Sequence, residues 1–259
     1  MFAATVDSAI TFRYSNFMGI RIFCRFAVLA IATAIAGCRT APPGQGSIAL
    51  FNGHDLTDWH TPTGTWQIVR NVTLDPSNNK SFSAAPGSGA MVNSTTNHTV
   101  NLISEADFGD CEAHVEFCVP KDSNSGVYLM GRYEVQILDS WGVAQPKSSD
   151  CGGIYASCSD PKPDYTGHAP AVNASKPPGE WQTFDITFRA PRFDASGRKI
   201  ENAKFIQVIH NGKVIQENVE VPRPTCAAHW LDEKPKGPLM LQGDHGPVAY
   251  RNILVRPVQ

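Results

Sequence analysis

One stretch of the chain concentrates residues able to do chemistry: Asn124-Ser-Gly-Val-Tyr-Leu-Met-Gly-Arg-Tyr-Glu-Val-Gln-Ile-Leu-Asp139. Arg132, Glu134 and Gln136 alternate with Tyr133, Val135 and Ile137, the period of a strand with one polar and one apolar face. The polar face presents a cation, a carboxylate and an amide, successive members about 7 Å apart. Strict alternation turns Asp139 toward the core, and a bulge near Leu138 would return its carboxylate to the polar face. Two carboxylates on one strand face can serve as acid and base, whereas Gln136 can only orient a neighbour or bind a hydroxyl. A solvated outer sheet face would show the same alternation.

The elements that must position these residues read as strands. Expected strands are Ile48–Phe51, a hairpin of Thr65–Val69 and Val72–Leu74 around Arg70-Asn71, then Asn101–Ser104, Glu112–Val119, Val127–Met130 and Arg132–Leu138. Beyond them come Trp181–Phe188, Phe205–His210 and Lys213–Gln216 around Asn211-Gly212, Leu239–Gln242 and Val248–Val255. Ser81–Ala90, rich in Gly and Ser, reads as a loop. Trp141–Pro178 reads as a long loop of the kind that is functional or mobile. The 21 Gly and 19 Pro suit a turn-rich all-β chain, and many short strands between turns indicate a β-sandwich.

With 259 residues, 42% of them hydrophobic, the chain can bury one sizeable core. Its formal charge of −2, without a basic run beyond the N-terminus, gives no sign of a nucleic-acid partner. Arg21 and Arg25 precede the apolar run Phe26–Ala36, followed by Gly37-Cys38. This is a secretory signal, too short to span a bilayer, and resembles that of bacterial lipoproteins, with Cys38 as the lipidated mature N-terminus. Residues 1–38 are therefore expected to be a signal segment, starting at Met1 or Met18, and residues 39–47 a flexible tether. Residues 48–259 form the folded domain, exported and facing the periplasm or cell surface. Five of the seven cysteines lie beyond Cys38, so at least one stays unpaired within the chain. Cys111 and Cys118 sit on opposite faces of one strand and should not pair with each other.

Several ordered motifs carry a wider likeness. Leu50-Phe-Asn-Gly-His-Asp-Leu-Thr-Asp-Trp59, Asn124-Ser-Gly126, Tyr133-Glu-Val-Gln-Ile-Leu-Asp139, Gly179-Glu-Trp-Gln182, Asn211-Gly212, Leu241-Gln-Gly-Asp-His-Gly246 and Arg251-Asn-Ile253 resemble the 3-keto-disaccharide hydrolase domain family, over about Ile48 to Pro257. The resemblance implies a concanavalin A-like jelly-roll sandwich of two antiparallel sheets, the concave one carrying a sugar groove. Glu134, Gln136 and Asp139 also match the spacing of the Glu-x-Asp-x-x-Glu strand of β-glucanases of that architecture. Gln136 replaces the central acid, which weakens a retaining glycosidase mechanism.

The family likeness implies cleavage of sugars already oxidised at carbon 3. The ketone acidifies the C2 proton, a base removes it, and the glycosidic oxygen leaves from C1. Such a route needs a base, an acid and a group to hold the enolate oxygen. On this reading Glu134 is the base, exchanging roles with His245, and Asp139 is the second carboxylate. Arg132, Arg251 or a divalent metal stabilises the enolate, with Glu134, Asp139 and His245 as candidate metal ligands. Asn124, Gln136, Gln242 and Tyr155 bind hydroxyls, and Trp181 stacks on a pyranose face. Gly243 would mark a bulge that aims His245 inward. No cofactor beyond that divalent metal is expected. The expected partners are an oligosaccharide or glycoside, a membrane reached through the lipid, and a sugar 3-oxidoreductase that makes the substrate. A carbohydrate-binding module without chemistry and an ordinary β-glucanase-type glycosidase remain alternatives.

Overall fold

The computed structural model describes residues 46–158 and 165–258. The expected signal segment, Cys38 and most of the tether lie outside the described residues. The described chain is all β: β1 (Ile48–Ala49), β2 (Gln67–Asp75), β3 (Asn78–Val92), β4 (Leu102–Phe108), β5 (Cys111–Cys118), β6 (Asn124–Leu129), β7 (Tyr133–Leu138), β8 (Gln182–Arg189), β9 (Arg192–Phe193), β10 (Lys199–Glu201), β11 (Ala203–His210), β12 (Lys213–Val221), β13 (Gly237–Leu241) and β14 (Ala249–Pro257). An eight-stranded sheet runs β12-β11-β8-β5-β14-β3-β2, with β1 on β14. A four-stranded sheet runs β4-β13-β6-β7, and β9 and β10 make a small ribbon. All pairings between these strands are antiparallel. This is the expected jelly-roll sandwich.

The core lies between the two large sheets. Phe117, Phe184, Phe188, Phe205 and Tyr250 from the eight-stranded sheet meet Val127, Leu129, Tyr133, Val135, Ile137, Leu239 and Leu241 from the four-stranded one. Burying such side chains stabilises the fold by about 1.5–3 kcal/mol each. Because Tyr133, Val135 and Ile137 face inward, Glu134 and Gln136 must face outward on the four-stranded sheet. A second apolar cluster of Val69, Val72, Phe82, Ala90, Val92, Cys118 and Ala249 lies apart from this core.

Two strand expectations need correction. Thr65–Val69 and Val72–Leu74 are not a hairpin, because Gln67–Asp75 continues through an irregularity between Val69 and Asn71. The turn comes later, where Ser77 N–H and Oγ donate to Asp75 Oδ1 at 2.8 and 2.6 Å. Ser81–Ala90 is not a loop, since it lies within β3, paired with β2. Its Gly and Ser content reflects close packing: a Cβ on Gly87 would lie 2.9 Å from Arg70 Cβ.

Cys158 and Cys226 form a disulfide with Cα atoms 4.8 Å apart, while Cys111, Cys118 and Cys151 are free and buried.

Candidate active site

The outward face of the four-stranded sheet gathers the polar groups. Tyr128 pairs with Glu134 and Gly126 with Gln136 across the β6–β7 hairpin, so these four share one face. Met240 of β13 pairs with Tyr128, and the residue after β13, Gln242, donates its N–H to Gly126 O at 2.9 Å. The Gln242 carbonyl accepts from Ser125 Oγ at 2.6 Å, and that hydroxyl also bonds Tyr250 at 2.7 Å. Gln242 is thus fixed by its backbone, and its Nε2 donates to the Tyr128 hydroxyl at 3.3 Å.

Glu134 is held from both sides. Its N–H donates to Thr225 Oγ1 at 3.1 Å, and its carbonyl accepts from Tyr155 N–H at 3.3 Å. Gly126 gives its carboxylate room, since a Cβ there would lie 2.3 Å from Glu134 Oε1 and 2.9 Å from the Tyr128 ring. Only 3% of Glu134 is exposed. Burial pushes its carboxyl up to about 8, against the lowering effect of a Tyr128 hydrogen bond and with a further push from the Asp244 charge. Burial also drives the Tyr128 hydroxyl pKa far up, helped by the charge of Glu134. Tyr128 Oη lies 3.3 Å from the Cys226 carbonyl. The Cys158–Cys226 disulfide and the Cys226 N–H to Ala156 O bond, 2.7 Å, tie the two segments that flank Glu134.

Asp244 and His245 stand exposed beyond β13, with His245 Nδ1 2.7 Å from Asp244 Oδ1. Their loop is rigidly seated by Asn93, whose Nδ2 donates to Gly243 O at 2.9 Å and Gly246 O at 2.7 Å. Asn93 Oδ1 accepts from Val248 N–H at 2.8 Å. His245 therefore sits on a loop next to Gln242, not on a bulged strand, because β13 ends at Leu241.

Gln136 is buried; its Nε2 donates to Asn124 Oδ1 and Ser149 O, each at 3.3 Å, and its Oε1 is buried with no partner among the described residues. A substrate hydroxyl is the natural complement of such an acceptor. Asn124 lies on the same face by alternation along β6, and Tyr155 is half-buried beside the Glu134 backbone.

Four expected site residues lie elsewhere. Asp139 does not return to the polar face. The β6–β7 register runs without a bulge, and the Asp139 carboxylate accepts Asp122 N–H at 3.0 Å and Trp141 N–H at 3.4 Å as a turn cap. The carboxylate whose charge reaches Glu134 is Asp244. Arg132 sits in the turn before β7, where Met130 and Gly131 have φ of 58° and 63°. Its guanidinium donates to Met130 O at 2.8 Å, to Asp232 O, and to Asp232 Oδ1 at 2.9 Å, and lies 5.3 Å from the Trp230 ring centroid. It is a clamp on the 230–232 segment rather than an enolate binder.

Arg251 belongs to the other sheet, Trp181 immediately precedes its strand β8, and the two stack at 4.1 Å. Tyr250 faces the core, so Arg251 must face away from it on β14. There Arg251 Nε donates to Glu116 at 2.6 Å, and His114 Nδ1 lies 2.6 Å from Asp185. Bonds to Asp185 and Glu116 raise His114 to about 9. Burial pushes Glu116 up, but bonds from His114, Asn252 and Arg251 outweigh it and hold the carboxyl at about 2. This neutralised network joins β5, β8 and β14. Among the described residues no three His, Cys, Asp or Glu side chains converge as a metal set, so Glu134, Asp139 and His245 do not form one.

Sequence reasoning missed Tyr128, hidden in an apolar run, and Asn93, which shows only an Asn-x-Ser/Thr pattern. Thr225 and Cys226 carry no local signal, since their role is long-range. Two surface cavities, of about 240 Å³ beside Asn52 and Asn252 and about 290 Å³ beside Arg189 and Lys199, are lined by none of the Glu134 cluster.

The family described as the 3-keto-alpha-glucoside-1,2-lyase-like domain matches residues 46–256. The chain belongs to this family. No curated protein matches it. Among solved structures, a provisionally assigned glycosyl hydrolase of Parabacteroides distasonis ATCC 8503 is similar at 26% identity and a TM-score of 0.59, with 83% of this chain and 84% of that one covered. A second such protein of that organism aligns at 15% identity and a TM-score of 0.55, over 83% of this chain and 95% of that one, and shows the shared fold. Family and neighbour together make this chain a carbohydrate-active enzyme of the glycoside-cleaving kind.

Proposed function

We propose that the chain cleaves the glycosidic bond of 3-keto-glucosides by removing the C2 proton. The observation that carries this reading is the buried Glu134 carboxyl, raised to about 8 next to Tyr128, with the Asp244–His245 pair on the neighbouring loop. A carboxylate nucleophile at C1 works best when it is ionised in a polar setting, and a raised carboxyl is a poor one. A base for a carbon acid is most effective when its pKa lies near the working pH. With Gln136 unable to ionise and Asp139 spent on a turn, the β7 strand supplies no second carboxyl of the glucanase pattern, and Asp244, whose charge reaches Glu134, is bonded to His245. A sugar-binding module gains nothing from a desolvated carboxyl.

Ionised Glu134 takes the C2 proton, and the C–H pair moves to form the enolate of the C3 ketone. The enolate pair then forms the C1–C2 double bond as the C1–O1 bond breaks, and His245, held by Asp244, protonates the departing oxygen. Water addition across the double bond would complete net hydrolysis. Gln136 and Asn124 receive ring hydroxyls. The substrate class implies a sugar 3-oxidoreductase acting before this enzyme, and export with a lipid on Cys38 completes the proposal from the sequence alone.

The test is cleavage of paired glucosides and 3-keto-glucosides, the latter also deuterated at C2. Turnover of the keto substrate alone, slowed by deuterium and rising with pH toward about 8, is expected from the Glu134 carboxyl. Equal turnover of the unoxidised glucoside would overturn the proposal.

A further inference from the structure

We propose that the Tyr128 hydroxyl is a catalytic hydrogen-bond donor that receives the enolate oxygen formed at C3 when Glu134 takes the C2 proton. The inference rests on the reaction proposed above and assigns a role to a residue which that scheme left unused.

A phenol carries one proton, and the Tyr128 hydroxyl has two acceptors beside it: the Glu134 carboxylate and the Cys226 carbonyl, the latter at 3.3 Å. While Glu134 is ionised, the charged acceptor holds that proton. Once Glu134 has accepted a proton from substrate, it no longer competes. Tyr128 is then left with a long bond to a neutral carbonyl, just as a new anionic oxygen develops. The C2 hydrogen and the C3 oxygen sit on adjacent carbons, about a hydrogen-bond length apart. A base and a donor carried by directly paired residues on one face of β6 and β7 match that spacing.

Gln242 sharpens the donor. Its Nε2 donates to the phenolic oxygen at 3.3 Å, so that oxygen is already engaged as an acceptor and its O–H is polarised. Gln242 itself is fixed by Gly126 O and Ser125 Oγ. The site is dry, with Tyr128 fully buried and Glu134 and Gln242 each 3% exposed, and a preorganised donor is worth most in such surroundings. The charged or titratable groups felt at Tyr128 are Glu134 from β7, Asp244 from the loop after β13, and Tyr155. The segment at Cys226 adds only its carbonyl.

Electrons balance without a further reactant. The C2–H bond breaks, and its proton goes to Glu134. The pair forms the C2–C3 double bond, and the ketone π pair moves to O3, where Tyr128 donates a hydrogen bond and keeps its proton.

The test isolates the enolate from the leaving group. A 3-keto sugar with hydrogen in place of the glycosidic oxygen cannot eliminate, yet exchanges its C2 proton for deuterium in heavy water, followed by proton NMR. The Tyr128→Phe variant should exchange about 10²–10³-fold more slowly than wild type, the loss typical of a missing oxyanion donor, with sugar affinity little changed. Its exchange–pH midpoint should also move upward, because the lost bond is the one that lowers the Glu134 carboxyl. A purely structural role would misplace Glu134 and weaken binding without that upward move. Wild-type exchange rates in Tyr128→Phe overturn the inference alone. Failure of the wild-type protein to exchange or cleave any 3-keto sugar overturns the reaction it rests on. Should Tyr128→Phe not fold, Gln242→Met keeps the phenol and should slow exchange about tenfold, as loss of one polarising bond implies; an unchanged rate there also refutes the proposal.

Discussion

Replacing Glu134 with Gln should make the protein more stable in alkali while abolishing its activity. The buried carboxyl rises from 4.5 to about 8, which at about 1.36 kcal/mol per pKa unit penalises the ionised form by up to about 5 kcal/mol. The sign follows from proton counting. Below pH 4.5 both native and unfolded chains hold the proton, and Glu134 contributes no pH dependence. Between 4.5 and about 8 the unfolded chain has released it and the native chain has not, so wild-type stability falls as pH rises. Above about 8 both are ionised and the penalty is complete. Gln keeps the shape and cannot ionise. The difference between variant and wild type should therefore be small at pH 4, widen by about 1.4 kcal/mol per pH unit, and level off near pH 9. Titrations of His114, Glu116 and other groups are common to both proteins and cancel. Urea unfolding of the pair at pH 4, 6, 7 and 9 reads this directly. A gap that stays constant with pH, or closes in alkali, would show that the native carboxyl is hydrated and would refute the argument from burial.

Further perturbations test the parts around it. Asn93→Ala removes the bonds to Gly243, Gly246 and Val248, and should cost about 2–4 kcal/mol in thermal unfolding while lowering kcat as Asp244 and His245 lose their seat. Trp181→Ala should leave kcat/KM within about twofold of wild type, since the ring stacks on Arg251 on the other sheet, while lowering stability by about 1–3 kcal/mol. A large loss of kcat/KM with the fold intact would return Trp181 to the substrate. Cys158→Ser with Cys226→Ser should lower stability by about 4 kcal/mol by the chain-entropy estimate for a separation of 68 residues, measured by denaturant unfolding against the oxidised protein.

Much of the fold was legible because one-face burial writes itself into a period of two. Tyr133, Val135 and Ile137 were readable as inward, and Glu134 and Gln136 followed. Arg132 extended the same alternation but belongs to a turn, and only the positive φ at Met130 and Gly131 reveals that the strand begins later. Asp139 and Asp244 are the same residue type beyond the ends of β7 and β13, two strands of one sheet separated by β6. Which of them reaches Glu134 depends on a turn cap in one case and a loop seated by Asn93 in the other, and neither is local in sequence. Tyr128 was hidden because an aromatic within Val-Tyr-Leu-Met reads as core. Its hydroxyl gains meaning only from partners at Glu134, Cys226 and Gln242. The β3 segment was obscured by its Gly and Ser content, which long-range pairing with β2 overrides.

The segment that brings Tyr155 to the site also closes the open edge of β7. Gly152 N–H donates to Gln136 O at 2.8 Å, Gln136 N–H donates to Gly153 O at 2.9 Å, and Ile154 bridges Val135 on one side and His168 on the other. A bare strand edge is a template for pairing between molecules, so this segment doubles as a guard against aggregation. Changes in its length therefore carry a solubility cost, and residues 225–226 share that duty at the same edge, where Thr225 N–H donates to Arg132 O at 2.9 Å and Cys226 N–H to Ala156 O at 2.7 Å.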